Sequence, residues 1–140
     1  MSELTFKNKP NMEITEKDNI PCLDIFYPLN NGKEIRFHLW PDTCAYILAG
    51  FAQEPHSDSY EVWGYDGILY YISLIKENEE KKLKLEIYNE NTKVTYKIIL
   101  DMGDGLDFIS NIIKLEWIYF QELLASDNYD INKEEKETYA

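Results

Sequence analysis

Residues 104–125 read DGLDFISNIIKLEWIYFQELLA. Leu106, Phe108, Ile109, Ile112, Ile113, Leu115, Trp117, Ile118, Tyr119, Phe120, Leu123 and Leu124 leave only a narrow polar stripe of Asp107, Asn111, Lys114 and Gln121. The run predicts one long helix near the C-terminus, with Asp104 as its cap and Asp107 adding charge near its positive end. A helix apolar over most of its girth must be covered over most of its girth. The rest of the chain is therefore expected to curl around it as a sheet, unless a partner chain does so.

Upstream, the periodicity changes from helical to alternating. Residues 22–39 predict a β-hairpin. Leu23, Ile25 and Tyr27 alternate with Asp24 and Phe26, Asn30-Asn31-Gly32 supplies the turn, and Ile35, Phe37 and Leu39 return opposite a polar Glu34, Arg36 and His38. Trp40-Pro41 ends that strand. A short helix is expected over about 42–52, capped by Asp42 or Thr43. Residues 60–75 predict a second hairpin around a two-residue Asp66-Gly67 turn, which would set Tyr65 opposite Ile68, Trp63 opposite Tyr70 and Glu61 opposite Ile72. Glu77 to Glu80 reads as an exposed connection. Residues 82–100 predict a third hairpin around Asn89 to Thr92, with Leu83, Leu85, Ile87, Val94, Tyr96, Ile98 and Leu100 on its core face.

At the ends, residues 1–21 are interrupted by Pro10, Asn11 and Asp18-Asn19 and read as a loosely attached arm with at most one short edge strand. Residues 126–140 read as a polar tail that frays. The fold class expected is α+β: a single domain in which one curved antiparallel sheet of about six strands, built from three hairpins, wraps a long C-terminal helix, with one short helix beside it.

A chain of 140 residues fits one domain with a core of its own. No apolar run reaches the ~20 residues of a membrane helix, and Met1-Ser2-Glu3-Leu4 has neither the basic start nor the apolar segment of a signal peptide. Cys22 and Cys44 lack CxxC spacing and read as free, buried thiols of a reducing cytoplasm.

Chemistry is sparse. Phosphate-loop, dinucleotide, zincin, nucleophile-elbow and zinc-cysteine patterns are all missing. His38 falls on the polar side of a strand and reads as solvent-facing. His56 lies between Glu54 and Asp58 in a loop, too little for a metal site. Asp101, Asp104 and Asp107 fail as a calcium loop, because Leu106 and Ile112 occupy its glycine and closing-glutamate positions. No catalytic residue, no metal and no cofactor is expected.

Charge is the informative property. The net charge is −12, which disfavours nucleic acid and anionic membrane as partners and suits a basic protein. Six of the 14 Lys and Arg lie between Lys76 and Lys97, whereas Phe37 to Ile75 has none and contains Asp42, Glu54, Asp58, Glu61 and Asp66. The whole chain holds eleven Tyr, and Tyr combines apolar area with a polar tip, as recognition surfaces require. Glu54, Asp58, Tyr60, Glu61, Tyr65 and Asp66 are the expected partner-binding face.

In size, acidity, aromatic content and lack of catalytic motif, the chain is similar to bacterial immunity proteins, particularly those that neutralise contact-dependent or polymorphic nuclease toxins. The likeness is one of character over the whole chain. Such proteins share no sequence pattern, so no residue role is carried over. The resemblance implies a non-enzymatic cytoplasmic inhibitor that binds one basic toxin domain, one to one. Two rivals stand beside it: a small-molecule-binding domain or enzyme with an aromatic pocket lined by Trp40, Trp63 and Tyr70, and a structural subunit that pairs with its own copy.

Overall fold

The computed structural model describes residues 2–52, 60–64 and 67–139, with residues 60–63 and 127–139 described through the backbone alone. Its elements, in chain order, are β1 (Ser2–Phe6), β2 (Asn11–Lys17), β3 (Ile20–Pro28), β4 (Glu34–Leu39), α1 (Pro41–Ala52), β5 (Tyr60–Trp63), β6 (Ile68–Glu77), β7 (Glu80–Asn89), β8 (Val94–Leu100) and α2 (Met102–Tyr139). The class is α+β. Two sheets replace the single six-stranded one expected: a five-stranded sheet in the order β1-β8-β7-β6-β5 and a three-stranded sheet in the order β2-β3-β4.

The difference begins at the N-terminus. Residues 2–6 are not a loose arm; they pair with β8 as the one parallel neighbour in the larger sheet, and Glu3 reaches Lys97 at 3.2 Å across that pairing. Residues 11–17 pair with β3. Asp18 and Asn19, which looked like an interruption, both take positive φ (53° and 64°) and set Lys17 opposite Ile20. This is the backbone of a two-residue hairpin turn whose twist matches its strands. Asn78 and Glu79 repeat it between β6 and β7, at φ of 53° and 66°. The supposed connection is thus a tight turn, and β5 to β8 form one continuous meander.

The β3–β4 hairpin has the expected register, with Leu23 opposite Leu39 and Tyr27 opposite Ile35. The β5–β6 hairpin differs by one residue. Gly64 N–H donates to the Ile68 carbonyl at 2.8 Å and Gly67 takes a φ of 75°, so Trp63 pairs with Leu69 and Glu61 with Tyr71. The connection is one residue longer than a two-residue turn, and in a strand a shift of one exchanges the partners on both faces. Gly67 supplies the left-handed residue that the longer turn needs.

Both helices begin earlier than their sequence caps suggested. In α1, Pro41 is the first residue, where its missing N–H is no loss, and Cys44 N–H bonds to the Trp40 carbonyl at 2.9 Å. In α2, Asp101 is the cap in place of Asp104: its Oδ1 accepts the Asp104 N–H at 2.8 Å. Gly105 then lies against Leu83, whose Cβ would be 3.3 Å from a Cβ placed on Gly105, so the first turn of the helix rests closely on β7. The helix continues to Tyr139, past Ala125 where an end was expected.

One core cluster draws on both sheets and both helices. Leu23, Ile25 and Leu39 come from the small sheet, Ile72, Leu85, Ile87, Ile98 and Leu100 from the large one, Ile47 from α1, and Phe108, Ile112 and Leu115 from α2. Phe37 and Tyr96 meet edge to face across the two sheets, with ring centroids 5.0 Å apart. The buried positions of α2 (Gly105, Phe108, Ile109, Ile112, Leu115) follow helical spacing along one face only. The sheet does not wrap the helix, and every residue from Phe120 to Ser126 is exposed. No helix among the described residues is long and apolar enough to cross a membrane.

Candidate functional site

Three features outside the core have the chemistry to act on something else: a charged cluster on the small sheet, a cleft beside that sheet, and an uncovered ridge on α2.

The cluster follows from register. Asp24 pairs with His38 across β3 and β4, Phe26 with Arg36, Glu13 with Asp24 and Thr15 with Cys22. Partners directly opposite share a face, so these side chains meet on the side away from the core. Asp24 is only 3% exposed. A buried carboxylate requires partners, and here it has three. His38 Nδ1 lies 2.6 Å from its Oδ1, the Cys22 thiol donates to that same oxygen at 3.4 Å, and Arg36 Nη1 donates to Oδ2 at 2.6 Å. A carboxylate only accepts, so His38 donates to it through Nδ1–H. Burial alone would raise the Asp24 pKa. The hydrogen bonds from His38, Arg36 and Cys22 outweigh it and hold the carboxyl below its usual range. Arg36 also binds Glu34 at 2.6 Å and Glu13 at 2.9 Å and lies over the Phe26 ring. Three carboxylates thus share one guanidinium.

His38 also lines a cleft of about 570 Å³ between the free edge of β4 and the ends of β6, β7 and β8. Its walls include Arg36, Trp40, Tyr70, Asn89, Asn91 and Tyr96. Trp40 and Tyr70 are two of the three aromatics expected around a pocket; the side chain of the third, Trp63, lies outside what is described.

The ridge is the larger surprise. Leu106, Ile113, Trp117, Phe120 and Leu124 recur at intervals of seven, four, three and four residues, which is one stripe of a helix. All are 45–58% exposed. Trp117 and Phe120 stack with centroids 6.0 Å apart. The stripe stands beside the buried face, and this is why the segment looked apolar all round.

Of the six residues expected to bind a partner, Glu54, Asp58, Tyr65 and Asp66 lie outside the described residues. Tyr60 and Glu61 are on β5, the edge strand of the larger sheet, and only their backbone is described. α1 packs against both β5 and α2, with Tyr46 on its exposed side. Sequence reasoning missed Cys22, Asp24, Arg36 and His38 as a unit. The signal was present: Cys22-x-Asp24 and Arg36-x-His38 are same-face pairs on two strands whose turn was correctly read.

No protein-family model matches the chain, and no curated protein matches it.

Proposed function

We propose that the chain is a non-enzymatic inhibitory protein of the immunity type, acting in the cytoplasm by binding a basic toxin domain, a nuclease, one to one and covering its active site. The observation that carries this reading is the α2 ridge. An isolated Leu on a surface needs no explanation, but a contiguous apolar stripe centred on stacked Trp and Phe marks an interaction site. Trp is the residue type most enriched at binding hot spots. Residues 101–140 carry ten acids against three bases, and a segment of net negative charge steers a positively charged partner. Tyr60 and Glu61, on β5, belong to the same proposal, because β5 packs on α1 and α1 on α2; Glu54, Asp58, Tyr65 and Asp66, outside the described residues, enter it through the acidity of their segment alone.

The test is binding of the purified chain to the product of the neighbouring gene. Trp117→Glu combined with Phe120→Glu, or charge reversal at Glu54, Asp58 and Glu61, weakens binding by more than about 100-fold, the loss of two hot-spot contacts. Unchanged affinity in both variants rejects the reading.

The cleft supports a second reading, a small-molecule-binding domain. Its aromatic walls, Trp40, Tyr70 and Tyr96, suit a planar ligand, and the carboxylates paired with Arg36 favour a neutral or cationic one. Saturable binding of such a ligand, lost in Tyr70→Ala, would favour it over the inhibitor.

A further inference from the structure

We propose that Cys22, Asp24 and His38 form a binding site for one divalent transition-metal ion, zinc by ligand type. The three donor atoms, Sγ, Oδ1 and Nδ1, all lie within 4.8 Å of one another. They come from two residues spaced i, i+2 on β3 and one directly opposite on β4, so a paired sheet, the stiffest part of a small fold, sets their positions. Tetrahedral zinc holds sulfur at roughly 2.3 Å and nitrogen or oxygen at roughly 2.0–2.2 Å, which separates neighbouring donors by roughly 3.2–3.7 Å. Cys22 Sγ and Asp24 Oδ1 already stand 3.4 Å apart. His38 Nδ1 and Asp24 Oδ1, now 2.6 Å apart, need to separate by less than about 1 Å, a change that rotation of the partly exposed imidazole supplies.

The surroundings match what a metal site requires of its outer contacts. Ligating carboxylates are themselves held by hydrogen bonds, and Arg36 occupies Oδ2 while leaving Oδ1 to the ion. Thr15 Oγ1, 3.2 Å from Cys22 Sγ, is placed to donate to a thiolate. Arg36 would repel a cation if it stood alone, but Glu13 and Glu34 bind it as well, so the group as a whole carries an excess of negative charge. Cys22 and Asp24 are closed off from solvent, and His38 opens to the cleft, which gives the ion its entry and a water its place as fourth ligand. On binding, Cys22 releases its thiol proton to solvent and the His38 proton moves from Nδ1 to Nε2. The ion is bound by this chain, with no oxidation or reduction. A thiolate, an imidazole and one carboxylate together favour zinc over calcium or magnesium, which take oxygen ligands.

The experiment is titration of the chelator-treated chain with Co²⁺ and then Zn²⁺, followed by absorption and calorimetry. The expected result is uptake of one equivalent, a thiolate-to-cobalt charge-transfer band, and displacement of cobalt by zinc. Cys22→Ser abolishes the band. Cys22→Ser and His38→Gln each weaken affinity by about tenfold or more. Cys44→Ser, which alters the other buried thiol, keeps both band and affinity. His38→Gln removes a partly exposed ring, so it remains informative if Cys22→Ser folds poorly; far-ultraviolet dichroism monitors both. No stoichiometric uptake, or a band and affinity unchanged in both ligand variants, overturns the site. Neither outcome depends on the toxin partner.

Discussion

The rings of Phe6 and Tyr27 stack face to face, with centroids 4.0 Å apart and planes 9° from parallel. Phe6 ends β1 in the large sheet and Tyr27 lies in the small one, so this contact joins the two sheets at the point where the chain leaves the first for the second. Tyr27 adds a hydrogen bond from its hydroxyl to the Asn8 carbonyl at 2.7 Å. Phe6→Ala removes a half-buried ring and its stacking on Tyr27, and should lower stability by about 2 kcal/mol. Leu4→Ala, at an exposed position on the same strand, should stay within about 0.5 kcal/mol. Urea denaturation distinguishes the two.

Along α2, burial and exposure separate residues that look alike in sequence. Ile112 is fully buried and Trp117 is 58% exposed. Ile112→Ala should cost about 2–5 kcal/mol, as core truncations do, whereas Trp117→Ser should change monomer stability by no more than about 0.5 kcal/mol. Sedimentation of the wild type should show a monomer at micromolar concentration. A dimer that Trp117→Ser dissolves would assign the ridge to self-association instead.

The turn between β6 and β7 carries avoidable strain. Glu79 adopts a φ of 66°, a left-handed conformation that costs a residue with a Cβ about 1–2 kcal/mol. Glu79→Gly produces the Asn-Gly pair preferred in such turns. After the entropy that glycine gains in the unfolded chain is offset, it should raise stability by roughly 0.5–1 kcal/mol, seen as a higher urea midpoint with unchanged slope.

Glu116 predicts a pH dependence. Its Oε1 is buried with no hydrogen-bond partner among the described residues. Burial first, and the charge of Asp42 second, raise its pKa from 4.5 to about 7. Folding therefore prefers the protonated carboxyl: its contribution is fully present below pH 4.5 and is lost as pH rises to about 7. Glu116→Gln should stabilise the protein at pH 8, by about 1 kcal/mol once solvent screening is allowed for, and leave it unchanged at pH 4. Asp24 has the opposite sign. Its lowered pKa stabilises the fold above the ordinary carboxylate range and is lost on acidification through the folded value. Denaturation curves at three pH values separate these contributions.

Alternation placed the inward faces of β4, β7 and β8 because the opposite face of each is polar, and that of β3 because Asp24 breaks its apolar run, although Cys22 and Asp24 are themselves buried. It failed at β1, whose partner β8 is more than 90 residues away and parallel; no local pattern encodes such a pairing. It also failed at Asp18-Asn19 and Asn78-Glu79, because turn chemistry without glycine looks like a break. In α2, composition shows that Leu106, Ile113, Trp117 and Phe120 need a cover but does not distinguish a residue packed against its own sheet from one that waits for a partner. The charged cluster was readable from register once β3 and β4 were paired, but each residue considered alone looked like ordinary surface.

The central proposal is that this chain inhibits a basic toxin domain through the α2 ridge and the acidic segment of residues 54–66. Growth of cells co-expressing the chain with the product of the neighbouring gene tests this most directly. The account predicts protection by the wild type and loss of protection in Trp117→Glu/Phe120→Glu at unchanged folded content. A neighbouring domain that neither arrests growth nor binds the chain, or full protection by the doubly charged ridge variant together with the Glu54, Asp58 and Glu61 reversals, would contradict it.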